Sequence, residues 1–263
     1  MICTLGDLLL DVVVRLDGPI AEDTDTYGRT RVAPGGQAAN VAAWIAALGG
    51  NARFIGKRAR DPAGTILADE LTRRGVELAG PEVENGTGTV VSVATPDGKR
   101  TMLTDRGVAP ELSAEDLDPA WLDGSTWLHL PGYSLVASPL REAALAAAGH
   151  APAVSVDFSS TAAIEAAGVG AFRETLATLA PDVVFATEDE AALIGEIGAK
   201  TVVVKKGAAG VVVGERAYEA RAAEVVDTTG AGDAFAAGFL VDGLESGLDA
   251  AARCVATMGA FPP

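Results

Sequence analysis

Short apolar runs alternate with longer helical patterns over almost the whole chain, and this alternation constrains the fold more than any other feature of the sequence. Strands that alternate with helices of about ten or more residues pair in parallel, because each helix returns the chain along one face of the sheet. The pattern predicts an α/β fold in which helices cover both faces of a mostly parallel central sheet. The predicted strands are ICTLG, ARFIG, TWLHL, AVSVDF, DVVFA, TVVVKK and VVV, and the predicted helices span 37–48, 62–74, 139–148, 169–180, 188–194, 231–241 and 248–257.

Two segments interrupt this rhythm. Residues 11–16 and 29–32 look extended, and residues 89–104 read as a hairpin around Pro96-Asp97-Gly98, because alternating strand residues flank a turn sequence. Strands inserted into an α/β frame form a small sheet near the edge where open α/β folds bind ligands, so they predict a lid that keeps water from the site. The expected limits are 1–263 for a single domain and roughly 11–32 and 88–105 for the lid strands.

The charge balance excludes several classes of partner. The chain has 263 residues, with 20 Lys and Arg against 36 Asp and Glu, and a formal net charge of −16. Nonspecific binding to nucleic acid or to an anionic membrane surface is therefore not expected. No uncharged apolar run approaches the ~20 residues of a transmembrane helix. If an acidic chain of this kind binds phosphate groups, local positive potential must come from helix N-termini, a few basic side chains or Mg²⁺.

The cysteines and histidines give no sign of a metal centre. Cys3 and Cys254 have no metal-ligand spacing around them, and His129 and His150 cannot complete a zinc cluster with these partners. The two thiols are expected to be small buried side chains. The N-terminus has no positively charged region before its apolar run, so it does not read as a signal peptide. We expect a reducing, cytoplasmic setting.

The segment 227–240, DTTGAGDAFAAGFL, is the most informative part of the sequence. Gly230 and Gly232 flank Ala231 where an apolar helix begins, so consecutive backbone N–H groups can converge on an anion there. Asp233 falls in the first helical turn, where its carboxylate could take a proton from a hydroxyl nucleophile. A helix start with an acidic residue favoured by the helix dipole is the simpler explanation of the same residues.

The whole string 227–240 resembles the second sequence signature of the PfkB, or ribokinase-like, family of carbohydrate kinases. The resemblance implies a ribokinase-like three-layer α/β/α sandwich with a small β-sheet lid, and an ATP-dependent kinase. It implies that Asp233 is the catalytic base and that the backbone of Gly230, Ala231 and Gly232 forms the anion hole. Asp227 and Thr229 match positions that hold a monovalent cation such as K⁺ in many members.

A second block, PGGQAAN at 34–40, leads into the first helix and resembles the first signature of that family. A loop followed by an amphipathic helix explains the pattern without a ligand, but the resemblance implies contacts to substrate hydroxyls. Asp11 matches a family aspartate that holds such hydroxyls, and a solvated strand end is the alternative. Arg106 either faces the substrate or lies on the solvated surface. The implied substrate-binding residues are Asp11, Gly35, Gly36, Gln37, Asn40 and Arg106.

Two further motifs concern the nucleotide and Mg²⁺. Thr187 and Glu190 form a Thr-x-x-Glu pattern, which is a helix capping box and also matches the family position of a glutamate that organises Mg²⁺ through water. The resemblance therefore implies Glu190 as the Mg²⁺ residue. The segment 205–210 is either a plain turn or the nucleotide loop. Neither motif is a Walker loop. The implied nucleotide contacts are Lys205, Lys206, Gly207, Gly210 and Thr228.

The sequence ends at Pro263, where relatives generally continue with a strand and a helix. We therefore expect Asp227 and Thr229 to lack partners, which leaves K⁺ activation open, and we expect the adenine pocket to be shallow or completed by another subunit. A homodimer formed through the exposed lid strands is a further hypothesis.

The leading hypothesis is a kinase that transfers the γ-phosphate of ATP to a hydroxyl of a sugar, a sugar acid, a sugar phosphate or a nucleoside. Tyr133 is a weak indication of a nucleoside, and the sequence does not identify the substrate. The alternative is a catalytically weak relative that binds ligands or regulates. A dinucleotide-binding dehydrogenase is set aside, because Gly-x-Gly-x-x-Gly does not follow the first strand.

Overall fold

The fold is described by a computed structural model that covers residues 1–97 and 100–263. Its strands and helices follow one another in the alternating order that the sequence predicts. The strands are β1 (Ile2–Leu5), β2 (Leu9–Leu16), β3 (Gly28–Gly35), β4 (Ala52–Ile55), β5 (Arg58–Ala59), β6 (Val76–Ala79), β7 (Glu82–Val83), β8 (Thr87–Ala94), β9 (Arg100–Gly107), β10 (Trp127–Pro131), β11 (Val154–Asp157), β12 (Val183–Thr187), β13 (Thr201–Lys205), β14 (Val211–Val213) and β15 (Arg216–Tyr218). The helices are α1 (Gln37–Ala47), α2 (Pro62–Arg73), α3 (Leu140–Ala148), α4 (Thr161–Ala167), α5 (Val169–Leu179), α6 (Glu188–Ile194) and α7 (Ala231–Val255).

The large sheet runs in the order β15-β14-β13-β12-β11-β10-β1-β4-β6. The strands from β13 to β6 pair in parallel, and β14 and β15 add an antiparallel edge. This confirms the predicted mostly parallel sheet. The parallel arrangement places the carboxyl ends of β11, β12 and β13 side by side, and ligands of open α/β folds bind at that edge.

Helices cover both faces of this sheet, because the strands are apolar on both sides. In β1, Cys3 and Leu5 pack against the layer that contains α3, α4, α5 and α6, whereas Ile2 packs against the layer of α1, α2 and α7. In β12, Val184 belongs to the first layer and Phe185 contacts residues of α7 in the second. The three-layer arrangement predicted from the sequence is confirmed.

A second sheet stands beside the first and has the order β3-β2-β8-β9. The β2 strand pairs antiparallel with β3 and parallel with β8, and β8 and β9 form the predicted antiparallel hairpin. Gly98, which the sequence places in the hairpin turn, lies outside the described residues. Arg106 is part of β9, because the ladder continues to Gly107.

Two helices explain how the site is positioned. Asp61 caps α2: its carboxylate accepts a hydrogen bond from the Gly64 amide at 2.8 Å, and Pro62 occupies the first helical position. The helix α7 is broken at Asp242 and Gly243, whose backbone angles are not helical. The two helices predicted at 231–241 and 248–257 are therefore the two halves of α7, and the second half begins earlier than predicted.

The remaining predictions about the chain's character concern membranes and thiols. Among the described residues, no helix has the length and apolar character needed to span a membrane. Cys3 and Cys254 are both buried and free, as predicted.

Candidate active site

A buried ion pair links the carboxyl ends of two central strands. The Nζ of Lys205, at the end of β13, lies 2.5 Å from the Oδ2 of Asp157, at the end of β11. Asp157 is only 1% exposed. Burial lowers the pKa of Lys205, but the adjacent Asp157 carboxylate outweighs this effect and holds the pKa above its usual value. Lys205 is therefore a fixed positive charge in a site that is otherwise acidic.

The N-terminus of α7 begins at a tight turn beside this lysine. Gly230 caps the helix with φ 78°, in the left-handed region, and a Cβ there would lie 2.5 Å from the Cα of Ala260. A Cβ on Gly232 would lie 3.1 Å from the Nζ of Lys205. The first N–H groups of a helix have no partner within the helix, and here the Ala231 amide makes only a long contact of 3.3 Å with the Thr228 carbonyl, so these groups can turn to an anion. The turn and the Lys205 ammonium together form a cradle for a phosphoryl group.

Asp233 lies in the first turn of α7, with 9% of its surface exposed. The Nδ2 of Asn40, on α1, donates a hydrogen bond to its Oδ2 at 2.7 Å. Desolvation by burial raises the pKa of Asp233 to about 7, and the Asp157 charge adds to this, while Asn40 and Lys205 oppose it. A carboxylate whose pKa is near neutral pH is suited to accept a proton from a hydroxyl group.

A cavity of about 570 Å³ extends from this turn along the second half of α7. Four of the predicted nucleotide residues line it, whereas the Lys206 ammonium pairs with Glu188 at 2.8 Å. Arg221 also lines the cavity and forms ion pairs with Glu245 and Asp249 of α7. The predicted residues that line the cavity are Lys205, Gly207, Gly210 and Thr228. Its wall includes Ala222, Ala223, Val225, Phe235, Leu248, Ala251, Ala252 and Val255.

Glu190 lies at the start of α6 and forms the capping box predicted from the sequence. Its Oε2 accepts a hydrogen bond from the Thr187 amide at 2.7 Å, and the Thr187 hydroxyl accepts one from the Glu190 amide at 3.3 Å. Burial and the nearby Asp157 charge raise the pKa of Glu190. The described residues contain no group of three or more carboxylate, imidazole or thiol side chains that could hold a metal ion. A metal here would need ligands from water and phosphate oxygens.

The predicted substrate end lies where β3 meets α1. Gly36 caps α1 with φ 92°, and a Cβ there would lie 2.3 Å from the carbonyl oxygen of Asp7. A Cβ on Gly35 would lie 2.3 Å from the carboxylate of Asp11. Desolvation raises the pKa of Asp11 to about 6. Gly36 must be glycine, because its φ is left-handed and a Cβ would collide with the Asp7 backbone, whereas a side chain at Gly35 would displace the Asp11 carboxylate.

Two amide side chains of α1, those of Gln37 and Asn40, each have a buried oxygen. Within the described part of the chain, the Oε1 of Gln37 and the Oδ1 of Asn40 form no hydrogen bond. Buried polar atoms are almost always hydrogen-bonded in folded proteins, so an unpaired one indicates a missing ligand or water. Because Asn40 also contacts Asp233, the two oxygens lie beside the candidate base, where a hydroxyl donor would fit.

Arg106 is bound to an aspartate that the sequence reasoning missed. Its Nε and Nη2 donate hydrogen bonds to the two carboxylate oxygens of Asp7 at 2.7 and 2.8 Å. Its guanidinium also lies over the Tyr133 ring, 5.8 Å from the ring centroid. The charge of Arg106 is thus already neutralised by Asp7, although the side chain lies at the base of the small sheet, close to the substrate end.

The C-terminal segment reaches the predicted cation residues, contrary to the expectation that they would lack partners. The Asp227 carboxylate accepts hydrogen bonds from the Thr229 amide at 3.0 Å and from the Gly259 amide at 3.1 Å. The Ala260 carbonyl accepts a hydrogen bond from the Trp44 indole at 2.8 Å. The segment holds the Gly230 turn in place, because Ala260 packs directly against it.

The structure brings most of the predicted residues to one edge of the large sheet. Asp157 is the main residue that the sequence reasoning missed there. The signal was present: Asp157 ends a buried strand, AVSVDF, and the carboxyl ends of parallel strands meet at the ligand edge. Asp7 likewise follows the first apolar strand, so its position also indicated the ligand edge.

Comparisons with known proteins agree with one another. The family model described as "pfkB family carbohydrate kinase" matches residues 1–261. The chain is 32% identical to an ATP-dependent ribose-1-phosphate kinase of Halopiger xanaduensis over 94% of this chain and 86% of that protein. It is 32% identical to a fructokinase of Escherichia coli over 93% of this chain and 84% of that protein. The crystal structure of adenosine kinase from Sinorhizobium meliloti superposes with a TM-score of 0.85 and 27% identity, over 99% of this chain and 95% of that one.

Proposed function

The chain belongs to the pfkB family of carbohydrate kinases, and from that membership we propose that it transfers the γ-phosphate of ATP to a hydroxyl group of a sugar, sugar acid, sugar phosphate or nucleoside. Its relatives are named kinases, so it is a phosphotransferase with an alcohol group as acceptor. The observation that carries the proposal is the contact geometry around α7. The buried Asp233 lies directly after a glycine turn, and the Lys205 ammonium lies against the same turn.

Asp233 is the general base of the proposed reaction. Its carboxylate takes the proton from the attacking hydroxyl while the oxygen attacks the γ-phosphorus and the bond to ADP breaks. The amides of Gly230, Ala231 and Gly232 and the Lys205 ammonium stabilise the charge on the transferred phosphoryl group. Phosphoryl transfer depends mostly on positioning and electrostatic stabilisation, so these few groups suffice.

Asp157 positions Lys205 in this scheme. An isolated lysine on a flexible stem would move among several carboxylates, including Glu190 and Asp233. The 2.5 Å contact with Asp157 fixes the ammonium against Gly232 and keeps its positive charge. Burial strengthens this contact, because the effective dielectric constant is lower away from water.

The residues present fit a Mg²⁺ held mainly by water and phosphate oxygens. Glu190 and Asp157 are carboxylates beside the proposed phosphate cradle, and oxygen ligands are those that Mg²⁺ prefers. Mg²⁺ would neutralise phosphate charge that the acidic site otherwise repels. We propose Glu190 as its principal contact through water. For K⁺, Asp227 and Thr229 remain the proposed residues.

The substrate is proposed to lie between Asp11 and α1. The Gln37 and Asn40 oxygens that lack hydrogen bonds among the described residues accept from substrate hydroxyls, and Gly36 lets the chain approach closely. The small sheet is proposed to act as the lid of a single kinase domain over 1–263. A cytoplasmic location remains a prediction.

We also propose a homodimer through the outer face of the small sheet. The side chains of β2 that alternate with Asp11 are apolar, and two neighbours on the same face, Val32 and Leu103, are 60% and 59% exposed. Exposed apolar strand faces are often covered by another chain. Light scattering tests this proposal: a monomer at micromolar concentration contradicts it.

Substrate-dependent ADP release tests the kinase proposal. The assay uses Mg-ATP with sugars, sugar acids, sugar phosphates and nucleosides, with and without K⁺. The Asp233→Asn variant should lose about 10²- to 10⁴-fold in kcat with substrate binding retained, as expected for a lost general base. Asp242→Asn, an exposed change on the same helix, is the control and should retain activity. Turnover unchanged in Asp233→Asn refutes the role of Asp233. ATP binding without turnover of any substrate would favour the catalytically weak alternative.

A further inference from the structure

The face of the small sheet that carries Asp11 also carries three arginines. In the antiparallel pairing of β2 and β3, Arg15 lies directly opposite Arg29, and Arg31 lies opposite Val13. Directly opposed residues point to the same face, and residues two apart on a strand share a face. Arg15, Arg29 and Arg31 therefore share the face of Asp11, and we call them the lid arginine cluster.

This face is turned toward the catalytic end of the molecule. The Nη1 of Arg31 donates a hydrogen bond to the carbonyl oxygen of Met258 at 3.0 Å. Met258 immediately precedes Gly259 and Ala260, which contact Asp227 and the Gly230 turn. A side chain on the opposite face of β3 could not make this contact.

Among the described residues, the cluster has no acidic counterpart. All three arginines are exposed, and none has a carboxylate within 4.0 Å in the part of the chain that the structure describes. The acidic residues of the connecting loop 17–27 form no such pair with them either. Like charges placed directly opposite each other destabilise a sheet, so the Arg15–Arg29 pair lowers stability unless an anion bridges it. In a chain with a net charge of −16, this concentration of positive charge is unexpected for a plain surface.

The spacing fits a small anionic substrate. Residues two apart on a strand are separated by roughly 7 Å, and neighbouring strands by about 4.8 Å, so the Cα of Arg31 lies roughly 8 Å from that of Asp11. A pentose or hexose whose hydroxyl binds Asp11 would place a phosphate or carboxylate group at its other end within reach of the Arg31 guanidinium. Arg106 is a poorer candidate for this role, because its Nε and Nη2 are already bound to Asp7 and Nη2 also donates to the Tyr133 carbonyl.

We propose that the lid arginine cluster binds a phosphate monoester group of the substrate and so selects sugar phosphates over neutral sugars and nucleosides. This inference rests on the proposed kinase function and narrows its substrate class. Guanidinium groups bind phosphate and carboxylate oxygens through paired, charge-assisted hydrogen bonds. Closure of the small sheet over the substrate would replace the Met258 contact of Arg31 with a contact to the anion.

The test compares each neutral sugar with its own phosphate ester. Rates of ADP release are measured with ribose and its monophosphates, and with fructose and its monophosphates, for the native chain and for Arg31→Ala, Arg29→Ala and the double variant. The native chain should have a higher kcat/KM for a phosphorylated member. Each arginine removed should lower that value about tenfold, as expected for a charge-assisted hydrogen bond, and leave neutral sugars within about twofold. Arg216→Ala, an exposed strand arginine at the far edge of the large sheet, is the control.

Three results would overturn the inference. The first is a native preference for neutral sugars over their phosphates. The second is an equal loss for both members of a pair in the double variant. The third is a rise in the KM for ATP alone, which would assign the cluster to the nucleotide phosphates.

Calorimetric binding of the sugar monophosphates without nucleotide separates this inference from the kinase proposal. Binding that is lost in the double variant supports the cluster even if no substrate is turned over. Binding that persists in the double variant refutes it.

Discussion

Replacing Asn40 by Ala should move the acid limb of the pH–rate profile upward. The Asn40 amide donates a 2.7 Å hydrogen bond to the Asp233 carboxylate and so favours its charged form. A hydrogen bond to a charged group contributes about 1.5–3 kcal/mol. Because one pKa unit corresponds to about 1.4 kcal/mol, losing this bond should raise the pKa by about one to two units. Water that enters the space left by the amide stabilises the carboxylate, which favours the lower figure.

The assay is the dependence of kcat/KM on pH, which reports the pKa values of the free enzyme. The base works only when ionised, so activity rises as the pH passes through the pKa of Asp233, which lies near 7 in the native chain. The midpoint should be near 7 for the native chain and near 8 for Asn40→Ala. Because Asn40 is also proposed to bind the substrate, its removal should lower the rate at every pH, and only the midpoint reports the ionisation of Asp233. Asn51→Ala, an exposed asparagine, is the control. A variant with the native midpoint would refute the link between Asn40 and the ionisation of Asp233.

Two further predictions concern stability. Because the folded-state pKa of Asp233 is raised to about 7, the native chain loses stability as the pH rises from about 4 to about 7. The Asp233→Asn variant should therefore raise the melting temperature more at pH 8 than at pH 5. An equal shift at both pH values would contradict this. Desolvation raises the pKa of Asp61, but the hydrogen bonds that its carboxylate accepts from Thr87, Gly64 and Gly86 together outweigh it and lower the pKa to about 2. Asp61→Ala should lower the free energy of unfolding by about 1–2 kcal/mol at pH 7, measured by denaturant titration, with Asp69→Ala as an exposed control on the same helix. The difference should shrink as the pH falls from about 4 toward 2, where the native Asp61 carboxylate also loses its charge.

The fold could be predicted because its signals are local. An apolar run such as AVSVDF predicts a strand from its own residues, and the glycines before α7 predict a turn in the same way. The break at Asp242 and Gly243 was anticipated as a gap between two helices. The residue at which the second half of α7 begins could not be predicted, because it depends on tertiary contacts around the cavity.

The site was predicted less completely, because side-chain partners depend on strand order. Asp157 and Lys205 are 48 residues apart and meet only because β11 and β13 flank β12. Arg106 and Asp7 are 99 residues apart, so the sequence left the role of Arg106 open between substrate and surface. The lid arginine cluster depends on strand register, because a one-residue shift in pairing would move these side chains to the other face of the sheet.

The break in α7 divides one helix into two parts with different tasks. The half before Asp242 carries the phosphate turn and Asp233 and adds Phe235 to the cavity wall, whereas Leu248 and Ala251 of the other half only line the cavity. A continuous rod would transmit any shift of the cavity wall along its axis to the turn. The break interrupts that path, so substitutions in the cavity wall of the second half need not displace Asp233.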